Sequence, residues 1–317
     1  MNNTGFDVFT PTYNRAYCLN NVYESLLRQT YKNFTWIVID DGSKDDTRQI
    51  VKGFIEEQNI HIIYHYQENQ GRFAAFNTAK QYFTHELVAT VDSDDWLLPD
   101  GLEKIQQCWE SLKTRKSNYA GVVAHFETQN HKLLGSKFPE GVEAEKIYVL
   151  YDKYGLKGDK FIVCRNDLIQ KYNYPLFKGE KFGGDSLVYN WINDNYPQYL
   201  LKSVVAHRDY MPDSITNNLL KNHLLSPNGM TEHYNEQIRV EQYNKKNLIK
   251  HGIGYIAYGI ISGRGILRTL NESNRKALTN TLLIPGMIYA LRLYLEKLRL
   301  EGKQSEASNS NHSNTNL

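Results

Sequence analysis

Four short apolar runs alternate with amphipathic stretches in the first part of the chain, and this alternation constrains the fold most. The runs cover residues 6–10, 35–39, 61–66 and 87–91. Between the first two, Leu19, Val22 and Leu26 recur at helical spacing. Short apolar runs are typical of buried parallel strands, and a β-α-β order implies right-handed crossovers. We therefore expect an α/β domain with a mainly parallel, twisted sheet flanked by helices.

The pattern becomes mixed after residue 115. Further strands are expected at residues 119–126 and 161–164, a helix at 187–192, and helices from residue 236, with residues 253–266 and 282–300 apolar on one side. The predicted parts are a catalytic domain at 1–235 with halves at 1–115 and 116–235, a basic helical region at 236–302, and a disordered Ser/Asn-rich tail at 303–317.

The charge of the chain is unevenly distributed. The whole chain carries +2, but residues 239–303 hold 12 Lys and Arg against 4 Asp and Glu, a local +8, so that the remainder carries −6. A basic region attracts membrane lipid or a phosphate-rich acceptor. No nucleic-acid partner is expected, since no nucleic-acid motif accompanies the charge.

Cysteine usage and apolar runs suggest where the protein works. Cys18, Cys108 and Cys164 are widely spaced, which indicates neither a disulfide framework nor a zinc site. We see no signal peptide and no apolar run of about 20 residues. The expected location is the cytoplasm.

Acidic residues follow two of the predicted strands. Asp40 and Asp41 come after the second strand, and Asp92, Asp94 and Asp95 come after the fourth. Ligands of parallel sheets bind at the carboxyl ends of strands, so both clusters could face one crevice. Carboxylates this close repel one another unless a cation compensates them, and a divalent metal held there can bridge diphosphate oxygens. The alternative is that these are ordinary Asp-rich turns.

Further motifs make the sequence resemble the family 2 glycosyltransferases of the GT-A fold. Residues 10–15 (TPTYNR) follow the first strand, residues 69–72 (NQGR) follow the third, and residues 183–185 (GGD) come later with Trp191. The resemblance extends over about residues 5–215. The combination in this order is highly specific, although each motif alone is not.

The resemblance implies a role for each matching residue. The nucleotide site would comprise Pro11, Tyr13, Arg15, Asp41, Arg72, Asp92 and Ser93. In it Tyr13 would stack on the base, and Asp41 would accept a hydrogen bond from it, as from uracil. Mn²⁺ or Mg²⁺ would be held by Asp94 and Asp92, with His207 as a further ligand or else a structural residue.

The same resemblance suggests residues for the sugar and the chemistry. Asp95, Asn77, Asp159 and Lys160 are expected near the donor or acceptor sugar, although Lys160 could equally be a surface charge. Asp185 would be the general base, because an acceptor hydroxyl is a poor nucleophile until a carboxylate takes its proton. The alternative for Asp185 is a helix N-cap.

The expected function is metal-dependent sugar transfer with inversion, from a nucleotide diphosphate that we expect to be UDP. The acceptor would be a saccharide or lipid-linked hydroxyl in bacterial surface-polysaccharide synthesis, such as capsule, at the inner face of the cytoplasmic membrane. The processive synthases' Gln-x-x-Arg-Trp motif is missing, as is the GxGxxG of dehydrogenases. The alternative is a non-catalytic, membrane-peripheral sugar-binding or scaffold protein.

The C-terminal helix carries its own hypothesis. Its apolar side would comprise Leu282, Leu283, Ile288, Leu291, Leu295 and Leu298, beside Arg292, Lys297 and Arg299. Such a helix can lie in a membrane interface. The alternatives are packing onto the catalytic domain or onto a second subunit, which would make a homodimer.

Overall fold

The computed structural model of the protein describes residues 4–184, 186–208, 218–240 and 243–313. For residue 301 and residues 303–313 it describes the backbone only.

The described residues form nine strands and thirteen α-helices. The strands are β1 Phe6–Thr12, β2 Phe34–Asp40, β3 Ile62–Tyr66, β4 Leu87–Thr90, β5 Asp95–Leu97, β6 Gly121–Glu127, β7 Ala144–Glu145, β8 Lys160–Arg165 and β9 Gln198–Arg208. The helices are α1 Ala16–Leu27, α2 Thr47–Glu56, α3 Arg72–Ala79, α4 Gly101–Ser111, α5 Ile147–Asp152, α6 Asn166–Ile169, α7 Ser186–Asn193, α8 Leu219–Leu225, α9 Pro227–Arg239, α10 Lys245–Ile261, α11 Ile266–Asn271, α12 Lys276–Thr281 and α13 Leu283–Ser313.

All nine strands belong to one sheet, in the order β3-β2-β1-β4-β8-β6-β9-β5, with β7 paired to β9. The pairs β3-β2, β2-β1 and β1-β4 are parallel, which confirms the prediction for the first half of the chain. The far side is mixed, because β8 runs antiparallel to both β4 and β6. The carboxyl ends of β1, β2 and β4 therefore lie along one edge of the sheet.

The chain forms two compact units. Unit 1 comprises residues 1–174 and 185–212, and unit 2 comprises residues 175–184 and 213–317. This division differs from the predicted boundary at residue 235. The physical reason is that Phe182 and Met230 pack in the same apolar cluster as Tyr258 of α10, so these segments join the C-terminal helices.

The core of unit 1 lies on the faces of the sheet. Trp36 of β2 and Trp109 of α4 are fully buried, and the ring of Tyr23 stacks on Phe54 at 4.0 Å between centroids. Aromatic rings buried in this way contribute much of the apolar area removed from water. This packing fixes α1 and α2 against β2 and so fixes the loops that precede them.

The core of unit 2 forms between α8, α9, α10 and α13. Ala290 and Leu293 on one side of α13 are buried, and Gly286 allows close approach to Ile256, because a Cβ there would lie 2.5 Å from the Ile256 side chain. Pro285 sits in the first turn, where its missing N–H costs nothing, so it does not break this helix. No helix in the described part of the chain is both long enough and apolar enough to span a bilayer.

The last helix also extends further than the sequence suggested. We expected disorder from residue 303, but α13 runs to Ser313. A helix already nucleated by packed apolar turns propagates at little cost, because each added residue gains a hydrogen bond.

Candidate active site

The loops after β1 and β2 are tied together by reciprocal hydrogen bonds. The Asn14 N–H donates to the Ser43 hydroxyl at 2.8 Å, and the Lys44 N–H donates to Asn14 Oδ1 at 2.8 Å. Asn14 has a φ of 53°, which asparagine tolerates better than most residues. These bonds hold the predicted nucleotide residue Tyr13, whose side chain is 44% exposed, beside the second loop.

Asp41 organises the loop that precedes α3. Its buried carboxylate accepts hydrogen bonds from Gln67 Nε2 at 2.7 Å, from the Gln70 N–H at 2.9 Å and from the Gly71 N–H at 2.7 Å. Gly71 has a φ of 95°, so only glycine readily accepts this position. Asp41 thus links the loops after β2 and β3.

Arg208 at the end of β9 joins three of the acidic residues. Asp95 and Arg208 face each other in the antiparallel β5-β9 register, and Arg208 Nε donates to both Asp95 oxygens at 3.0 Å. Its other nitrogens donate to Asp92 Oδ2 at 2.8 Å and to Asp159 Oδ2 at 3.1 Å. The guanidinium lies over the Phe126 ring, 4.5 Å from its centroid.

Asp92 has a second cationic partner. Arg72 Nη2 donates to Asp92 Oδ1 at 3.0 Å, so both oxygens of this carboxylate face an arginine. Burial opposes the charged form, but the charges of Arg72 and Arg208 outweigh it and hold the pKa of Asp92 below its usual value. Asp92 is therefore ionised and engaged.

Asp94 differs from its neighbours. Its nearest cation is Arg15 Nη1, 4.0 Å from Asp94 Oδ2, and its side chain is 20% exposed. Burial and the charge of Asp92 raise the pKa of Asp94 above its usual value. Burial likewise raises the pKa of Asp95 to about 7, against the opposing pull of Arg208. The charge on Asp94 is thus only partly compensated at a partly open position.

These contacts close a ring of loops. The β1 loop meets the β2 loop through Asn14, and the β2 loop meets the start of α3 through Asp41. Arg72 then connects α3 to Asp92, and Arg15 connects the segment after β4 back to the β1 loop. Pro11 at the end of β1 and the buried Ser93 belong to the same edge of the sheet. The structure therefore brings the residues expected to bind nucleotide together.

The positions of the predicted ligands show whether they could hold a divalent metal. No three His, Cys, Asp or Glu side chains come together as a metal-binding group in the described ranges, so Asp92, Asp94 and His207 do not assemble as a three-ligand set. Instead, His207 is buried, stacks on Trp96 at 4.3 Å and lies 3.9 Å from Glu127 through Nδ1. Asp94 alone fits the pattern of Mg²⁺ sites that take one or two carboxylates and complete the shell with substrate phosphates.

Of the four residues expected near the sugar, two make structural contacts and two belong to the acidic cluster. The Asn77 amide donates to the Tyr174 carbonyl and accepts from the Tyr174 N–H, both at 2.9 Å, so it anchors that segment. Lys160 is buried and donates to the carbonyls of four residues, the shortest distance being 2.8 Å to Lys157. Both therefore have structural contacts here, whereas Asp95 and the half-exposed Asp159 belong to the Arg208 cluster.

The segment before Asp185 is held by α9, although Asp185 itself lies outside the described residues. The Glu180 carboxylate accepts from the N–H groups of Asn228 at 3.0 Å and Gly229 at 2.8 Å, in the first turn of α9. Gly184 packs against His233, since a Cβ at Gly184 would lie 1.8 Å from the imidazole. The general-base role of Asp185 stays a prediction.

Sequence reasoning missed Arg208. The need for a compensating cation was foreseeable, because three carboxylates in four residues repel one another. The partner's identity was not foreseeable, because it depends on the β5-β9 register across more than a hundred residues of chain.

The sheet order and the acidic edge together define the GT-A class of nucleotide-sugar transferases. Glycosyl transferase family 2 matches residues 7–172, just over half of the chain, and the chain belongs to this family.

Comparison with solved structures agrees with this class. S. aureus TarS 1-349 in complex with UDP-GlcNAc has a TM-score of 0.56 at 16% identity, covering 90% of this chain and 91% of that one. The mannosyltransferase PcManGT from Pyrobaculum calidifontis, in complex with GDP-Man and Mn²⁺, has a TM-score of 0.55 at 16% identity, covering 91% and 87%. At this identity the likeness shows the fold alone.

Curated relatives extend the comparison. The Campylobacter jejuni GalNAc(5)-diNAcBac-PP-undecaprenol beta-1,3-glucosyltransferase is 27% identical over 222 residues, 68% of each chain. The Escherichia coli UDP-Glc:alpha-D-GlcNAc-diphosphoundecaprenol beta-1,3-glucosyltransferase WfgD is 27% identical over 177 residues, 55% of this chain and 66% of that one. This chain matches a smaller part of other relatives. The match covers 14% of the length of the Streptococcus pneumoniae glycosyltransferase GlyA and 36% of the length of a Nostoc glycosyltransferase.

Proposed function

We propose that this family 2 glycosyltransferase moves a sugar from a UDP-sugar, with inversion, to a hydroxyl of a saccharide or lipid-linked acceptor in bacterial surface-polysaccharide synthesis. The observation that carries the proposal is the partly exposed Asp94 carboxylate, which lies where the loops after β1, β2, β3 and β4 are joined. Asp92 and Asp95 are engaged by arginines, so Asp94 is the carboxylate of this cluster best placed for a ligand.

The residues around Asp94 suit a nucleotide diphosphate. The exposed Tyr13 ring offers a stacking surface for the base, and the Asp41 carboxylate lies at the adjoining loop. Arg15 supplies positive charge toward phosphate oxygens, and Arg72 lies beside Asp92. The UDP-GlcNAc bound to TarS and the UDP-Glc named for the E. coli relative support UDP as the nucleotide.

Asp94 would hold Mn²⁺ or Mg²⁺ together with the diphosphate of the donor, which agrees with the Mn²⁺ in the mannosyltransferase complex. The ion, when bound, supplies positive charge that stabilises the leaving nucleotide diphosphate. Because burial penalises the charge of Asp94, a cation there would relieve an existing cost.

The reaction follows from the roles of the protein groups. The acceptor hydroxyl attacks the anomeric carbon while the Asp185 carboxylate takes its proton. The new carbon–oxygen bond forms as the bond to the diphosphate oxygen breaks, and one displacement inverts the anomeric centre. Arg15, near Asp94, would meet the charge that develops on the leaving group.

The acceptor and setting are proposed from the relatives. Both the C. jejuni and E. coli relatives carry a diphosphate-linked undecaprenol in their names. We propose that this protein also acts on a lipid-linked acceptor, and therefore at the inner face of the cytoplasmic membrane.

The first test is release of free nucleotide from UDP-, GDP- and dTDP-sugars with Mn²⁺ or Mg²⁺, read beside nucleotide binding. Asp94→Ala should lose metal-dependent release, and Asp185→Asn should keep binding but lose release by about a hundredfold or more. Asp46→Asn is the matched control, because Asp46 is an exposed carboxylate beside α2. Failure of every nucleotide to bind would instead favour the scaffold alternative.

A further inference from the structure

The outward side of α13 is apolar over four turns. Its exposed side chains are Ile284, Met287, Ile288, Leu291, Tyr294, Leu295 and Leu298, each between 44% and 72% exposed. On a helix these seven positions fall within an arc of about 120°, and they extend over about 21 Å. We call them the α13 outer face.

The opposite side of the same helix is already used by unit 2. Gly286, Ala290 and Leu293 are buried, the last two in the apolar cluster with Leu224 and Met230. The orientation of α13 is therefore fixed by its own packing. Apolar positions on both sides exceed what a surface helix needs for folding alone.

A second copy of the chain is one occupant to consider. Residues 284, 288, 291, 295 and 298 follow the alternating spacing of a coiled-coil seam. However, the repeat spans only about two heptads, and Gly302 stands at the next seam position. A seam this short is a weak basis for helix pairing.

The charges at the edge of the outer face also oppose self-pairing. Arg292 and Arg299 flank one edge, while Met287 and Tyr294 flank the other. In a self-paired helix the arginines would meet arginines or apolar side chains, because no acidic residue lies at these flanking positions from 283 to 300. Glu296 pairs with Arg299 within the helix at 2.9 Å, an exposed contact that contributes little.

We infer that the α13 outer face is a docking surface for an anionic lipid bilayer, with the helix lying in the plane of the headgroups. Apolar side chains would enter the acyl boundary, while Arg292 and Arg299 would meet anionic headgroups. Residues 239–303 taken together carry +8, a net charge that favours approach to an anionic surface. The inference rests on the membrane location given under the proposed function and names the surface that would make that contact. It does not depend on the sugar-transfer reaction, so it can be tested without measuring that reaction.

The test is co-sedimentation of the full chain with vesicles of phosphatidylcholine and phosphatidylglycerol in a ratio of about 7:3, and with phosphatidylcholine alone. Wild type should bind the mixed vesicles and lose affinity as salt is raised. The double variant Ile288→Glu with Leu295→Glu should bind at least about tenfold more weakly. Arg292→Gln with Arg299→Gln should weaken binding about fivefold for each arginine, on the mixed vesicles alone.

The matched control places two glutamates on exposed apolar residues of other helices, Leu225→Glu with Ile249→Glu, and should bind like wild type. Thermal unfolding and vesicle-free nucleotide release keep folding and catalysis separate from docking. Absence of wild-type binding, or equal loss in the control, would overturn the inference. A change from dimer to monomer in the Ile288/Leu295 variant, without a change in vesicle binding, would assign the face to a second copy.

Discussion

At the scale of single residues, Arg208 decides which carboxylates of the acidic cluster are available. It engages Asp95 and Asp92, and its own pKa is raised far above the usual value because the attraction of these two carboxylates outweighs the cost of burial. Asp94 is left with Arg15 at the longer distance of 4.0 Å. One partly buried guanidinium thus separates structural carboxylates from the candidate ligand-binding carboxylate.

Arg208→Met should lower the free energy of unfolding by about 3 kcal/mol, because it leaves the buried Asp95 and the partly buried Asp92 with less compensation. Arg208→Lys is the control, since lysine keeps the charge but cannot reproduce the forked contact, and it should lose less. Urea denaturation measures both variants. Equal stability of Arg208→Met and wild type would contradict the arrangement described.

At the scale of elements, α9 is capped by a residue from a distant segment. Its own N-cap residue, Ser226, makes no side-chain cap, and the Ser226 hydroxyl instead accepts from the Phe182 N–H at 3.1 Å. Glu180 supplies the missing acceptor for the first turn. A carboxylate there also interacts favourably with the helix dipole. Capping of α9 and anchoring of residues 180–184 are therefore the same interaction.

Glu180→Gln should destabilise the protein by about 1 kcal/mol, because the amide can accept from only one side and carries no charge. Hydrogen exchange in residues 182–184 should rise, and nucleotide release should fall if Asp185 is the general base. Lys181→Gln, a neighbouring exposed position, is the control and should change none of these values. An unchanged exchange rate in Glu180→Gln would refute the link.

At the scale of the whole molecule, the partly buried His233 makes the fold sensitive to acid. Burial, with smaller contributions from His251 and His223, lowers the pKa of His233 to about 3. An unfolded histidine titrates near 6.5. Because the folded-state pKa is depressed, the stabilisation is present above pH 6.5 and is lost as the pH falls toward 3.

The free energy of unfolding should therefore fall by roughly 2 kcal/mol between pH 7 and pH 5 from His233 alone. Thermal or urea unfolding across this range measures it. His233→Gln should be less stable at pH 7 but show a shallower pH dependence than wild type. Identical slopes in both proteins would show that His233 does not carry the effect.

Local sequence patterns predicted which helices and strands form better than they predicted where these helices and strands begin and end. The parallel strands, the acidic loops and the family follow from runs of apolar residues and motifs that lie close in sequence. The break between α10 and α11 falls at Gly263 and Gly265, within residues 253–266 that were expected to be helical and apolar on one side, because both glycines take positive φ. The extension of α13 past residue 303 likewise depends on packing that nucleates the helix elsewhere.

The sequence by itself determined the parallel strands of the first half, the family and the loops that carry Tyr13, Asp41 and Asp94, because each depends on residues a few positions apart. Only the tertiary structure decided that Arg208 neutralises Asp92 and Asp95, and that His207 stacks on Trp96. It also decided which side of α13 is buried. These contacts depend on strand register and packing between segments that are far apart in the sequence. The order of residues along the chain does not by itself specify them.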